Sequence, residues 1–227
     1  MKEEKEVRLE KALTKEGLEK LHQKKVLLIG LGGVGGLLGE ALIRSGITHL
    51  DVVDGDIVEE SNFNRQIIAL DSTLKMKKTA ALKQHLIEID KSISIEEYPF
   101  FIDENTINQI SFANYDLVLD CIDDVMAKVL IIQECKKTST EIISCMGTAN
   151  KTNPNSFEIC DINQTSYCPL AKKIRLELRK RKIDKVKVCY SKEPPQENHG
   201  ILASQMFIVG SASFIIAKAA LDYLLSI

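Results

Sequence analysis

A glycine-rich segment between two apolar runs constrains the fold more than any other part of this 227-residue sequence. The segment Gly30-Leu-Gly-Gly-Val-Gly35 follows the apolar run 26–29 and opens a helical pattern that ends near Gly46. A second apolar run, 50–53, comes next. Strand, glycine turn, helix and strand in this order form a parallel βαβ unit, and the free N–H groups at the start of its helix favour a phosphate. The segment therefore predicts a nucleotide-binding fold.

The alternation of helices and strands continues beyond this unit. Further helices are predicted at 75–90, 104–112 and 125–137, and further strands at 92–98, 117–119 and 142–145. Such alternation, with unbroken apolar strands, is typical of an α/β protein with a doubly wound, mostly parallel, Rossmann-like sheet and helices on both faces. After Gly147 the pattern changes, because strands at 157–162 and 186–190 flank a basic helix at 170–182. This change predicts a small antiparallel C-terminal extension.

The charge balance excludes a global attraction to nucleic acid. The chain has 30 Lys and Arg against 32 Asp and Glu, which gives a net charge of -2 at pH 7. A polyanion must therefore be met by a local patch, and the strongest one surrounds the predicted basic helix. Its candidate contacts with such a polyanion are Lys172, Lys173, Arg175, Arg179, Arg181 and Lys182. The alternative is the solvated face of an amphipathic helix.

Cysteine spacing and the charged N-terminal residues indicate the cellular compartment of the protein. The six cysteines include no CxxC pair, so a structural zinc site of the usual spacing is not expected. The charged start is unlike a secretory signal, and we expect a cytoplasmic protein with free thiols.

The stretch 201–227 is long and apolar enough to span a bilayer. Polar residues such as Gln205, Lys218 and Asp222 interrupt it, which favours a buried or dimer-packing helix and no transmembrane segment. The prolines in 191–200 predict a loop, which we interpret as a lid.

A set of polar residues follows the predicted strands. Asp54, at the end of the second strand, is placed to accept hydrogen bonds from a ribose, which an NAD site would also require. Arg65 and Lys78 are cations that can face phosphates, and Asp123 can hold Mg²⁺. Taken singly, they could instead be a surface ion pair, a solvated lysine and a helix N-cap. Binding of a nucleoside triphosphate with its metal ion would involve all of these residues together.

The motifs Gly30-Leu-Gly-Gly-Val-Gly, Asp54-x-Asp56, Asn62-x-x-Arg65-Gln66, Lys78 and Asp120-x-x-Asp123 resemble, in order and spacing, those of a known family. This family is the ubiquitin-activating-type ATP-dependent adenylyltransferases, which include the ThiF, MoeB and HesA proteins. The resemblance covers almost the whole chain. Within the family, segments 8–21, 168–175 and 186–193 are similar to the branch that dehydrates threonylcarbamoyladenosine in tRNA. The lack of CxxC pairs agrees, because the ThiF and MoeB branches typically carry two.

The resemblance implies a role for each matching position. The residues implied in ATP binding are Gly30, Gly32, Gly33, Gly35, Asp54, Asp56, Asn62 and Gln66. Those implied in catalysis are Arg65, Lys78, Asp123, which would also coordinate Mg²⁺, and Arg8, which the neighbouring subunit of a homodimer would deliver to a composite site. Two positions depart from the pattern. Thr14 stands where the family has glycine, and Cys168 stands where it often has aspartate.

The activity implied is ATP-dependent adenylation of the threonine carboxylate of threonylcarbamoyladenosine in tRNA, followed by ring closure with loss of water. The six basic residues named above, between 172 and 182, would then contact the tRNA. Alternatives are adenylation of the C-terminal glycine of a ubiquitin-like sulfur-carrier protein, an NAD-dependent oxidoreductase, and a nucleotide-gated interaction module. Cys189 is either a covalent or sulfur-accepting group, with a sulfur-relay protein as partner, or a buried thiol. We expect one compact unit in which 1–147 form the N-terminal helix and ATP-binding core. Residues 148–227 would then form the substrate-binding extension and the C-terminal helix.

Overall fold

The computed structural model describes residues 2–194 and 203–227. Its helices are α1 (Lys2–Leu13), α2 (Lys15–His22), α3 (Gly33–Arg44), α4 (Lys78–Ile89), α5 (Val125–Thr138), α6 (Pro169–Lys180) and α7 (Met206–Ser226). Its strands are β1 (Lys25–Ile29), β2 (His49–Val53), β3 (Glu97–Tyr98), β4 (Leu117–Asp120), β5 (Glu141–Cys145), β6 (Phe157–Asp161) and β7 (Lys187–Ser191). Most of the predicted lid, from 195 onward, lies outside the described residues.

The strands form one sheet in the order β3-β2-β1-β4-β5-β7-β6. All neighbouring strands are parallel except β6 and β7, which are antiparallel. This confirms the predicted doubly wound sheet with an antiparallel extension. The extension continues the main sheet, because β7 pairs in parallel with β5. Between β1 and β4 the chain changes its direction of progress across the sheet, and ligands of such sheets bind at the carboxyl ends of the strands at this point.

Helices cover both faces of the sheet, as predicted. Alternate residues of β1 point to opposite faces: Val26 and Leu28 join a core with α3, α4 and α7, and Leu27 and Ile29 join a core with α5 and α6. Burial on both faces explains why the central strands read as continuous apolar runs rather than as an alternation.

Several predicted boundaries differ from the structure. The amphipathic stretch at the N-terminus is two helices, because Thr14 interrupts it with φ 65° and ψ 162°, a conformation that glycine adopts most easily. The Thr14 hydroxyl accepts a hydrogen bond from the Gly17 N–H at 3.2 Å and so starts α2. The predicted helix at 104–112 is two single turns, Ile107–Gln109 and Phe112–Asn114, separated by an extended Ser111. The predicted strand at 92–98 is shortened to β3.

Helix α7 is long and apolar enough to cross a membrane, but half of its most apolar 18 residues are buried within the protein. It packs on α3, where the Ser213 hydroxyl donates to the Val34 carbonyl at 2.8 Å. Its outward face keeps Phe207 and Phe214 more than half exposed. The helix is therefore a core element with an apolar outer stripe.

Candidate active site

A cleft of about 1060 Å³ opens at the carboxyl ends of the central strands. Small-molecule sites typically measure about 300–1,000 Å³, so the cleft has room for a nucleotide and part of a second ligand. The predicted site residues that line it are Gly30, Gly32, Gly33, Asp54, Asp56, Asn62, Arg65, Gln66, Lys78 and Asp123. Gly35 and Arg8 do not line the cleft. Gly35 is buried in the first turn of α3, and Arg8 lies on the exposed surface of α1.

The glycine turn allows α3 to begin directly against β1. Gly30 has φ +87°, and its N–H donates to the Val53 carbonyl at 2.8 Å. A Cβ at Gly35 would lie 1.8 Å from the Gly30 carbonyl oxygen, so no side chain fits there. The N-cap, Gly32, contributes no side-chain acceptor. The first N–H groups of α3 are therefore available to an anion in the cleft.

Asp54 fastens this turn to the end of β2. One carboxylate oxygen accepts from the Leu31 N–H at 2.7 Å, and the other accepts from the Asp56 N–H at 2.8 Å. Each oxygen has a further lone pair for a ribose hydroxyl. Asp54 thus shapes the turn as well as facing the cleft.

Lys78 is a buried cation at the start of α4. Its ammonium donates to the Asp56 carboxylate at 2.6 Å, and its backbone N–H donates to the Asp56 carbonyl at 3.1 Å. Partial burial disfavours the charge of Asp56, but the hydrogen bonds from Lys78 and the Ile57 N–H, together with the charges of Lys78 and Lys77, outweigh it and hold the pKa of Asp56 below its usual value. Lys78 is therefore not a solvated surface lysine, and its charge reaches the cleft beside Asp56.

The segment that carries Arg65 forms the rim next to the glycine turn. The Arg65 guanidinium donates to the Ser61 carbonyl at 2.8 Å and to the Asn64 side chain at 2.9 Å. Within residues 2–194 and 203–227, no carboxylate forms an ion pair with it. Asn62 accepts from the Glu59 N–H at 3.1 Å. Gln66 is buried with its Oε1 unpaired in the described part of the chain. The rim therefore offers a cation with no acidic partner and a spare acceptor.

Asp123 is an exposed carboxylate in the loop after β4. The N-cap of α5 is its neighbour Asp124, which accepts from the Ala127 N–H at 2.8 Å. Asp123 is thus left to face the cleft. The described residues contain no group of three or more carboxylate, histidine or cysteine side chains that could hold a metal. Mg²⁺ commonly binds through one or two carboxylates together with substrate phosphates, and Asp123 fits that mode.

Sequence reasoning missed a buried ion pair below the cleft. Lys128, on α5, is fully buried and donates to Asp120 at 2.8 Å and to the Cys145 carbonyl at 2.7 Å. Asp120 also accepts from the Ser144 hydroxyl at 2.6 Å. The network joins α5 to the ends of β4 and β5, from which two loops of the cleft emerge. The only sequence signal was a lysine within an otherwise apolar helix face.

The six basic residues predicted to contact tRNA are not equivalent. Lys172, Lys173, Arg179 and Lys182 are exposed, and Lys173 also lines the cleft. Arg175 turns inward and donates to the carbonyls of Ile162 and Thr165 at 3.3 and 3.0 Å. Arg181 pairs with Glu177. A phosphate surface at α6 would therefore rest on the four exposed side chains, three in the helix and Lys182 just after it.

Cys189 is fully buried in β7 and does not line the cleft. A hydrogen bond with Cys145 and burial raise the pKa of the Cys189 thiol well above its usual value. Both features suit a buried thiol better than a nucleophile.

The doubly wound sheet, the glycine turn and the cleft with its unpaired cation define a nucleotide-binding α/β protein. Comparison with known proteins makes the class specific: a family model described as the ThiF family matches residues 5–225, and the chain belongs to that family.

Two relatives share a name. The tRNA threonylcarbamoyladenosine dehydratase of Bacillus subtilis is 40% identical over 189 residues, which cover 83% of this chain and 74% of the relative. The protein of that name from Haemophilus influenzae is 35% identical over 169 residues, which cover 74% of this chain and 64% of the relative.

Among solved structures, E. coli tRNA N6-threonylcarbamoyladenosine dehydratase (TcdA) in complex with AMP is similar, with a TM-score of 0.94. The match covers 99% of this chain and 95% of that one, at 22% identity. At this identity the match shows a shared fold, including the extension formed by β6 and β7.

Proposed function

We propose that this protein uses ATP to activate the threonine carboxylate of threonylcarbamoyladenosine in tRNA and closes it into a ring with loss of water. The observation that carries the proposal is the cleft in which the glycine turn, Arg65, Lys78 and Asp123 meet. The names of the two relatives support the choice of substrate.

ATP would bind along the carboxyl ends of β1, β2 and β4. Asp54 would accept from the ribose, and the first N–H groups of α3 would contact phosphate oxygens. Arg65 and Lys78 would meet the charge of the triphosphate. Asp123 would hold Mg²⁺, which, when bound, neutralises charge on the phosphates.

In the first step, an oxygen of the threonine carboxylate attacks the α-phosphorus of ATP, and pyrophosphate leaves. In the second step, a nucleophilic group of the same modification attacks the activated carbonyl carbon and loses its proton, and AMP departs with the former carboxylate oxygen. The net change in the nucleoside is the loss of one water. Arg65 and Lys78 would stabilise the charge that develops on the phosphates, and the cleft would hold both substrates in register.

We also propose a homodimer in which Arg8 of one subunit completes the site of the other. Its support is that Arg8 lies on the exposed surface of α1 and does not line the cleft of its own chain. For tRNA, the exposed residues Lys172, Lys173 and Arg179 on α6, with Lys182 just after the helix, would contact phosphates.

The test is to incubate the protein with ATP, Mg²⁺ and tRNA that contains threonylcarbamoyladenosine, and then to measure nucleoside masses. We expect a nucleoside lighter by one water, with AMP and pyrophosphate formed in step. Arg65→Ala should lower turnover by on the order of a hundredfold, because it removes a charge that stabilises the transition state. An unchanged nucleoside together with adenylation of a small protein ending in Gly-Gly would replace this proposal with the carrier-protein alternative.

A further inference from the structure

The end of β5 and the start of α6 form a second wall of the cleft. It is lined by Met146, Gly147, Thr148, Ala149, Asn150, Lys151, Cys168, Pro169, Leu170 and Lys173. Sequence motifs assign no task to the loop at 147–151. Lys151 closes this loop, and although it lines the cleft it is only 6% exposed.

The ammonium of Lys151 has no carboxylate partner among the described residues. Its hydrogen-bond acceptor is the neutral backbone carbonyl of Glu193. The Glu193 carboxylate is directed elsewhere, because it accepts from the Thr152 hydroxyl at 2.8 Å and from the Asn153 N–H at 3.0 Å. Lys128 shows the contrast, since it is fully buried and is paired with Asp120. Lys151 is thus a nearly buried cation whose ammonium contacts no carboxylate of residues 2–194 and 203–227.

Burying a cation that has no direct charged partner is unfavourable, and this weakens its hold on its proton. Burial lowers the pKa of Lys151 below its usual value, and the nearby Cys168 and Glu193 offset this only in part. A buried charge that lacks a partner and faces a cleft is typical of a functional site. A ligand carboxylate would supply the direct charged partner that the described residues do not.

The loop of Lys151 is held in a fixed position relative to the rim that carries Arg65. The Asn150 N–H donates to the Ala203 carbonyl at 2.8 Å, and the Ala203 N–H donates back to the Asn150 side chain at 2.8 Å. The next residue, Ser204, accepts from the Asn64 side chain at 3.0 Å. Hydrogen bonds through 203–204 therefore connect the two walls, and a group bound at Lys151 would have a defined position relative to the phosphates.

We propose that Lys151 binds the carboxylate of the second substrate and orients it toward the nucleotide. This inference rests on the proposed function and deepens it, because it assigns the reacting carboxylate to a named cation. The glycine turn, Arg65 and Lys78 serve the nucleotide, whereas Lys151 serves the acid that attacks it.

The test compares Lys151→Met and Lys151→Arg with wild type in two measurements, ATP binding by titration and steady-state turnover of tRNA. For Lys151→Met we expect ATP affinity within about twofold of wild type and kcat/KM for tRNA lower by at least about a hundredfold, as for loss of a charged binding group. Lys136→Met is the matched control, because Lys136 also donates to a distant backbone carbonyl, that of Lys185, but lies outside the cleft. It should retain wild-type kcat/KM.

The pH profile separates binding from a purely structural role. Turnover of wild type should fall at alkaline pH, because the Lys151 ammonium deprotonates. The fall should begin below the pH at which an ordinary lysine titrates, because the pKa of Lys151 is lowered. Lys151→Arg should be more active than Lys151→Met, and its turnover should fall only at a higher pH than that of wild type, because a guanidinium stays charged. If Lys151→Met is too unstable to assay, the comparison of the pH profiles of wild type and Lys151→Arg decides whether Lys151 binds the carboxylate.

Three results would overturn the inference while leaving the proposed function intact: unchanged turnover of tRNA by Lys151→Met, an equal loss of ATP affinity in that variant, or an unshifted pH profile for Lys151→Arg. If wild type itself fails to dehydrate the nucleoside, the proposed function is overturned, and the role of Lys151 with it.

Discussion

Single side chains of the cleft hold its shape before any ligand arrives. Asp54 fastens the glycine turn, and Asp56 holds the ammonium of Lys78. Sequence spacing predicted acidic and basic residues in this region, but it could not pair them. The pairing arises only because the loop after β2 and the start of α4 meet in space, 22 positions apart along the chain.

The pair of Asp56 and Lys78 predicts a pH-dependent stability. Burial raises the pKa of Asp56, but Lys78, with the Ile57 N–H and the charge of Lys77, lowers it below its ordinary 3.8. The stabilisation is therefore fully present above that value and is lost as the pH falls through the folded pKa. Because Asp56 is half exposed, Asp56→Asn should lower the free energy of unfolding at neutral pH by only about 1 kcal/mol. Denaturant unfolding at several pH values measures this, and a difference that persists in acid would assign the effect to something other than the ion pair.

At the scale of elements, the start of α3 depends on one glycine more than on its neighbours. A Cβ at Gly35 would meet backbone at 1.8 Å, whereas a Cβ at Gly32 would have its nearest neighbour at 3.9 Å. Gly35→Ala should therefore displace α3 from β1, lower the melting temperature and abolish ATP binding. Gly32→Ala should melt like wild type. Thermal unfolding and ATP titration of both variants test this, and a stable, ATP-binding Gly35→Ala would contradict the close packing.

The sequence predicted buried strands well and predicted poorly a region where local hydrogen bonds compete with a helical pattern. Strands β1, β4 and β5 are buried on both faces, so their apolar runs were unambiguous. The region 104–114 also carries apolar residues at helical spacing. There, Asp103 accepts from the N–H groups of Asn105 and Thr106, and Ser111 is extended, so the chain makes separate turns that insert Ile107 and Phe112 into the core. Local hydrogen bonds competed with the helix and prevailed.

At the scale of the whole molecule, the proposed composite site predicts complementation between inactive subunits. Arg8→Ala and Arg65→Ala should each have turnover lower by on the order of a hundredfold when tested alone. After subunit exchange, half of the dimers would be hybrids with one intact site each, so the mixture should regain about a quarter of wild-type turnover. A mixture of Arg65→Ala and Asp123→Asn is the control, because both residues belong to the same cleft and no hybrid has an intact site. No recovery in the first mixture would show that Arg8 acts within its own chain or not at all.

The sequence by itself determined the βαβ unit, the parallel sheet and the nucleotide end of the cleft. These follow from local apolar runs and from glycine spacing, which restrict the backbone whatever surrounds it. Only the tertiary structure decided the rest. It paired Lys128 with the Cys145 carbonyl 17 positions away, turned Arg175 inward, and buried Lys151 against the carbonyl of Glu193, 42 positions away. A charge looks the same in sequence whether it is solvated, paired or left without a partner, because its environment is supplied by residues distant along the chain.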